Sequence, residues 1–155
     1  MVYINRESKP VLKMMNLEVR RIMTADPIVV TPNQPLQQVV RLMLSKKLQQ
    51  LPVVENGRLV GLVTSFDLWR ERNSQSTMPV VKDIMTTNIL TIAPKDKVAT
   101  AAQLFADKRF KTLPVVNLRN ELKGVVTAFD VIRQAYVSEY PRPILYKEEF
   151  LKNAM

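Results

Sequence analysis

Two threonines are each followed three residues later by an aspartate, in the heptapeptides GLVTSFD (Gly61 to Asp67) and GVVTAFD (Gly124 to Asp130) of a 155-residue chain that holds only three glycines. A hydroxyl and a carboxylate at that spacing form a capping box at a helix start: the threonine oxygen accepts an amide of the first turn and the acid returns to the threonine amide. The same arrangement leaves a helix N-terminus whose free amides and positive dipole end suit a phosphate. Two features add weight to binding. The glycine three residues before each threonine clears room for another backbone or a ligand, and aspartate stands in both copies although glutamate caps as well. Cations that could meet a phosphate stand at Lys46-Lys47, Lys108-Arg109 and Lys111, where they equally complement the negative ends of helices.

The residue types that are missing narrow the chemistry. The chain has no cysteine and no histidine, so it lacks disulfides, a thiolate nucleophile, sulfur ligands and the commonest general base. Its acids are scattered, with no D-x-D cluster for a carboxylate metal site. No catalytic residues and no metal are expected, and the chain reads as a non-enzyme. A formal charge of +9 suits a polyanion, a phosphorylated small molecule or solubility alone. The balance of 46% apolar and 24% charged residues is that of a globular protein. Apolar runs such as Leu59 to Val63 are strand-sized, far below the roughly 20 residues of a membrane helix. The opening MVYINRESKP lacks the apolar core of a secretory signal, and a cytoplasmic setting is the default expectation.

The elements that position these residues come as a repeat. At an offset of 62, Ile22-Met23-Thr24 matches Ile84-Met85-Thr86, Pro32 matches Pro94, and LPVV at 51 to 54 matches LPVV at 113 to 116. Between proline and LPVV, Leu36, Val39, Val40, Met43 and Leu44 correspond to Val98, Ala101, Ala102, Phe105 and Ala106, the apolar stripe of an amphipathic helix. Pro35 suits the first turn of one copy, and Asp96 is the expected N-cap of the other. LPVV and RLVGLV around Asn56-Gly57 predict a hairpin with a type I′ turn. The second copy has a looser turn, Asn117 to Glu121, one residue longer. PIVVT and ILTI supply a strand before each helix. The unit is β-α-β-β-α, twice, an α+β fold.

With I-M-T, h-P-V-V (h apolar) and G-h-h-T-x-x-D in that order twice over residues 19 to 135, the chain resembles a tandem pair of CBS (cystathionine β-synthase) domains, a Bateman module. The resemblance implies two repeats packed about a pseudo-twofold axis, two clefts between them and pairing into a disc-shaped homodimer. It also implies a regulatory ligand sensor for adenosine-bearing molecules, with AMP, ADP or ATP ahead of S-adenosylmethionine or a dinucleotide. Each cleft then joins the I-M-T segment of one repeat to the glycine motif of the other: Thr24 and Val29 with Val125, Thr127 and Asp130, and Thr86 and Thr91 with Leu62, Thr64 and Asp67. Each aspartate would accept ribose hydroxyls. Lys108 and Arg109 would lie over phosphates bound beside Thr127 and Asp130. Gln49 stands where the second copy has Lys111, so the two clefts differ.

The expected divisions are an N-terminal extension (1–18), repeat 1 (19–69), an exposed linker (70–80), repeat 2 (81–135) and a C-terminal extension (136–155). Both extensions are apolar enough to pack on the module, across a dimer or against an effector protein. The leading expectation is a stand-alone adenosine-nucleotide sensor. A nucleic-acid-binding basic module, without a basic-aromatic motif to support it, and a structural dimerisation module without ligand are the alternatives.

Overall fold

The structure, a computed structural model, describes residues 9–71 and 77–140. In chain order it runs α1 (Lys9–Met15), a 3-10 turn (Val19–Arg21), β1 (Thr24–Ala25), α2 (Leu36–Lys46), β2 (Gln50–Glu55), β3 (Arg58–Thr64) and α3 (Ser65–Glu71). A second 3-10 turn (Val81–Asp83), α4 (Val98–Lys108), β4 (Thr112–Val116), β5 (Leu122–Thr127) and α5 (Ala128–Glu139) follow. This is the α+β class expected, with antiparallel strand pairs.

The helical stripe is half right in both copies. α2 buries Leu36, Val39 and Met43, and α4 buries Val98, Ala101 and Phe105 at the equivalent positions. Leu44 and Ala106 face outward. Each helix closes on a left-handed residue, Lys47 and Arg109, both at φ 55°, where glycine is the usual choice. The N-cap of α4 is Lys97, not Asp96. Asp96 turns back instead, and its Oδ2 accepts the Ala93 N–H at 2.8 Å.

The turn between β2 and β3 has Asn56 at φ 51° and Gly57 at φ 76°, the two positive angles that type I′ requires. In the longer second loop Asn117 Oδ1 accepts the amides of Arg119 and Glu121 at 3.0 and 2.9 Å. The strands expected over PIVVT and ILTI shrink to single parallel bridges, Val30 to Val53 and Ile92 to Val115. Pro32 and Pro94 follow the two segments, and a proline has no N–H with which to extend a ladder.

The two halves interlock. Val19 opens repeat 1 yet is buried in a core with Ile92, Val98, Phe105, Leu113 and Val126 of repeat 2. Val81 opens repeat 2 and lies in the core of Val30, Val39, Leu51, Val53 and Val63. The backbone does the same reciprocally: Val19 and Arg20 donate to the carbonyls of Asp96 and Pro94 at 2.7 and 3.0 Å, and Val81 and Lys82 to those of Gln34 and Pro32 at 3.0 and 2.8 Å. β1 then pairs with β5, Thr24 opposite Val125, and Thr86 bridges Leu62. Each sheet is therefore edged by the other repeat.

α1 adds Met14 to the second core, with Val11, Met15 and Leu17 packed beside it. This is the packing on the module expected of the N-terminal extension. The end of the linker is held rather than free, since Pro79 accepts the Leu36 N–H at 3.2 Å and Val80 bridges Pro35. The apolar residues of the C-terminal extension beyond Tyr140 lie outside the described residues.

Candidate functional site

The T-x-x-D motifs form full capping boxes. Asp130 Oδ2 accepts the Thr127 N–H at 2.8 Å and the Thr127 hydroxyl at 2.9 Å, while Thr127 Oγ1 accepts the Asp130 N–H at 3.1 Å. In repeat 1 the corresponding distances are 2.9, 2.8 and 3.1 Å. One carboxylate oxygen is thus consumed by the helix start, and what remains is Oδ1. For Asp67, which is 6% exposed, Arg70 takes that atom at 3.2 Å. Among the described residues Asp130 Oδ1 has no such partner, so the two aspartates are alike as caps and different as acceptors.

The glycines are explained by the interlock rather than by a ligand. A Cβ on Gly124 would lie 2.6 Å from the Thr24 carbonyl oxygen and 2.7 Å from Met23 Sδ, and one on Gly61 would lie 2.5 Å from Met85 Sδ. The methionine of each I-M-T therefore sits on the bare backbone of the other repeat's glycine motif. The two motifs are halves of one contact, which fixes Thr24 against Val125 and places both above Thr127.

A cavity of about 560 Å³ opens at this junction, lined by Thr24, Val125, Thr127 and Asp130. These are four of the five residues expected to share the first cleft. The fifth, Val29, is not on the wall; Pro27 and Ile28 stand there instead, with Leu48, Pro52 and Phe129 as further apolar lining. Cations enter from the ends of two elements, Lys47 from the close of α2 and Lys111 from the approach to β4. A hydroxyl and an acid at a helix start, an apolar slot and two ammonium groups together suit a ligand with a flat apolar part, a polyol and an anion.

The second set is not gathered in the same way. Thr64 lines a separate cavity of about 280 Å³ with Ser65, Phe66, Arg109, Phe110 and Lys111. Leu62 and Thr86 are spent on each other, with backbone bonds of 2.9 Å in both directions. Thr91 lines a third cavity of about 540 Å³, with Arg20, Pro94, Lys95 and Leu118. Arg109 thus lies with Thr64 of repeat 1, not over Thr127 and Asp130. Lys46 and Lys108, one residue earlier in each helix, line neither of the first two cavities.

The sequence reading left out Phe66 and Phe129, which line the second and first cavities. Their signal was available, because T-x-F-D holds phenylalanine in both copies. It also left out Gln50, whose Oε1 is buried without a hydrogen-bond partner. Among the described residues the one displaced acidity lies elsewhere: the Asn117 amide, assisted by Lys123, Arg119 and Arg58, holds Glu121 below the usual carboxylate value despite some loss of hydration. Among the described residues no cluster of three or more His, Cys, Asp or Glu could hold a metal ion, and no helix is long and apolar enough to cross a membrane.

Two segments, residues 19–68 and 81–136, match the family model described as CBS domain. The uncharacterized protein MJ1225 of Methanocaldococcus jannaschii is 32% identical over 123 residues, 71% of this chain and 44% of that protein. The inosine-5'-monophosphate dehydrogenase of Korarchaeum cryptofilum is 37% identical over 106 residues, 68% of this chain and 22% of the enzyme. The chain spans less than half the length of these two relatives. Among solved structures, CBSX2 in complex with AMP matches with a TM-score of 0.73 at 30% identity, over 81% of this chain and 98% of that one; CBSX2 is a protein of Arabidopsis thaliana. The CBS domain pair of MJ0100, in complex with 5'-methylthioadenosine and S-adenosyl-L-methionine, matches with a TM-score of 0.67 at 26% identity, over 76% and 94% of the two chains.

Proposed function

The chain belongs to the CBS-domain family, as a tandem pair, and on that premise we propose that it is a regulatory module that binds an adenosine nucleotide, AMP, ADP or ATP, in the cavity between β1 and the start of α5. One observation carries the reading. Thr24, Val125, Thr127 and Asp130, named from two distant parts of the sequence, line a single cavity together with Lys47 and Lys111. Its volume of about 560 Å³ lies within the range of about 300 to 1,000 Å³ usual for small-molecule sites. The base lies against Pro27, Ile28 and Val125, the ribose hydroxyls reach Asp130 Oδ1, and the first phosphate meets the Phe129 amide at the start of α5 and the two lysines. The AMP and S-adenosyl-L-methionine complexes of similar CBS pairs support an adenosine-type ligand.

The reading gives the chain no catalytic step, sets it in the cytoplasm, and makes its output a change in what the module touches. Phe66 and Trp69 on α3 and Phe129 and Ile132 on α5 are 60 to 68% exposed, an apolar surface that supports pairing with a second copy. The test is thermal shift and calorimetry of the purified protein against adenosine, AMP, ADP, ATP and S-adenosylmethionine. A ligand bound only to the native state at a hundred times its Kd adds about 2.7 kcal/mol of stability. Asp130→Asn should weaken the response and Asp67→Asn should not. No response to any adenosine compound, or salt-dependent binding of single strands that ATP does not displace, would reject the nucleotide reading.

A further inference from the structure

We infer that the third cavity, at the other end of β4 from the first, binds a second ligand of a different class: a small amphipathic carboxylate with an apolar body and one anionic end. Thr112 at the start of β4 lines the first cavity and Val116 at its end lines the third, about 13 Å apart along the strand. The volume of about 540 Å³ suits a small molecule as well as that of the first does. Its wall is apolar at Ile92, Ala93, Pro94, Val116 and Leu118 and carries two exposed cations, Arg20 and Lys95. Among the described residues no aspartate or glutamate lines it. A ribose therefore finds no carboxylate to accept its hydroxyls, and the place is not a second nucleoside seat.

The fold does not require these side chains, because the other repeat forms the same elements without them. At the offset of 62, Ala93 and Leu118 stand where repeat 1 has Thr31 and Asn56, Lys95 where it has Asn33, and Asn117 where it has Glu55. Two polar groups are exchanged for apolar ones, a cation is added and an acid is removed. Leu118 is fully exposed, yet the loop that carries it is tied down. Asn117 Oδ1 accepts the amides of Arg119 and Glu121, and the Asn117 carbonyl accepts the Asn120 N–H at 2.9 Å. The cations are equally ready. Arg20 is anchored through Nε to Glu18, which leaves its terminal nitrogens to donate. Asp96, next to Lys95, is turned to the Ala93 amide, and among the described residues no ion pair engages Lys95. An ammonium and a guanidinium beside apolar surface select an anion with an apolar body.

Amide NMR titration of the full chain with octanoate and with octanol tests this. Octanoate should shift the amides of Thr91, Ala93, Lys95, Asn117 and Leu118, and octanol, without the charge, should bind about tenfold more weakly. Lys95→Asn should weaken octanoate about threefold or more and leave octanol within about twofold, whereas Leu118→Asn should weaken both. Each variant installs the residue that repeat 1 carries at the equivalent position, so the fold tolerates it. Shifts confined to the exposed faces of α3 and α5, equal binding of octanol and octanoate, or no shift at all would overturn the inference. AMP separates it from the nucleotide reading. Octanoate that AMP displaces sits in the first cavity and overturns the inference, whereas octanoate binding that AMP leaves unchanged, or that persists in a protein with no affinity for AMP, upholds it.

Discussion

Replacing Gly124 by alanine sets a methyl carbon 2.6 Å from the Thr24 carbonyl oxygen and 2.7 Å from Met23 Sδ. Non-bonded carbon contacts are most favourable near ~3.5 Å, so both neighbours must withdraw. The thioether can rotate, but the carbonyl belongs to β1, whose whole pairing with β5 is Thr24 to Val125 and Ala25 to Gly124. Moving it strains or breaks that ladder. Overpacking costs about 1–3 kcal/mol, each lost backbone bond about 0.5–1.5 kcal/mol, and the stiffer unfolded chain returns about 0.4–1 kcal/mol. The net loss is about 2–3 kcal/mol. Gly61→Ala is the control, because the atoms its Cβ would meet all belong to the Met85 side chain, and its loss should be about 1 kcal/mol or less. Urea unfolding of both variants at one protein concentration reads the difference, with a slope near about 1–3 kcal/mol per molar converting midpoint to energy. Gly124→Ala should also weaken the nucleotide, since Thr24 is a wall of the cavity. A Gly61→Ala loss as large as that of Gly124→Ala, or a Gly124→Ala protein as stable as wild type, would refute the idea that a backbone approach demands this glycine.

Asp130→Ala should cost about 1 kcal/mol in denaturation by loss of the capping box, whereas Asp130→Asn, which keeps an acceptor, should cost a few tenths; equal losses would mean that capping is not what the acid supplies. Lys47→Gly relieves a left-handed residue that costs an L side chain about 1–2 kcal/mol, against about 0.5–1 kcal/mol for the added freedom of glycine, so the variant should be slightly more stable and bind nucleotide more weakly. A variant that loses both stability and binding would count against a strained, functional Lys47. Glu121 titrates below its ordinary 4.5 in the folded state, so its contribution is present above that value and is lost as pH falls through the lowered pKa. An NMR titration should show this, with Asn117→Ala moving the midpoint back up; a midpoint indifferent to Asn117 would remove the assigned cause. Light scattering at micromolar concentration should return a dimer mass, and Phe66→Asp with Phe129→Asp a monomer.

The residue patterns that were legible in the sequence are those tied to a period or a fixed spacing. The repeat, the Asn56-Gly57 turn and the capping boxes follow from local chemistry and the structure has each of them, while of each helical stripe it buries three positions of five. The crossing of Thr24 to Val125 came from the family resemblance, and the Cβ distances at Gly124 supply its physical reason. What local pattern could not tell was where side chains go at ends. Val29 and Ile28 are neighbours in an extended segment, and only the register of the Val30 to Val53 bridge decides which faces the cavity. Arg109 sits at a left-handed residue, which redirects the chain after α4 toward Thr64. Asp96 reads as an N-cap, but a start one residue later leaves its carboxylate to the Ala93 amide. Gln49 and Lys111, read from the repeat as one on each cleft, both line the first and the second cavity, and the pairing of Asp67 with Arg70 depends on a rotamer.

The exchange of Val19 and Val81 between the two cores bears on ancestry. A chain of one repeat would carry both a leading segment and the groove that accepts it, so two identical chains could close each other's sheets. Joining them end to end replaces an encounter between molecules by a tethered one, and the closed form no longer depends on concentration. Once joined, the two copies are free to diverge. Here Asp67 is paired with Arg70 and, among the described residues, Asp130 has no such partner, and the duplication is the step that makes an asymmetry of this kind heritable.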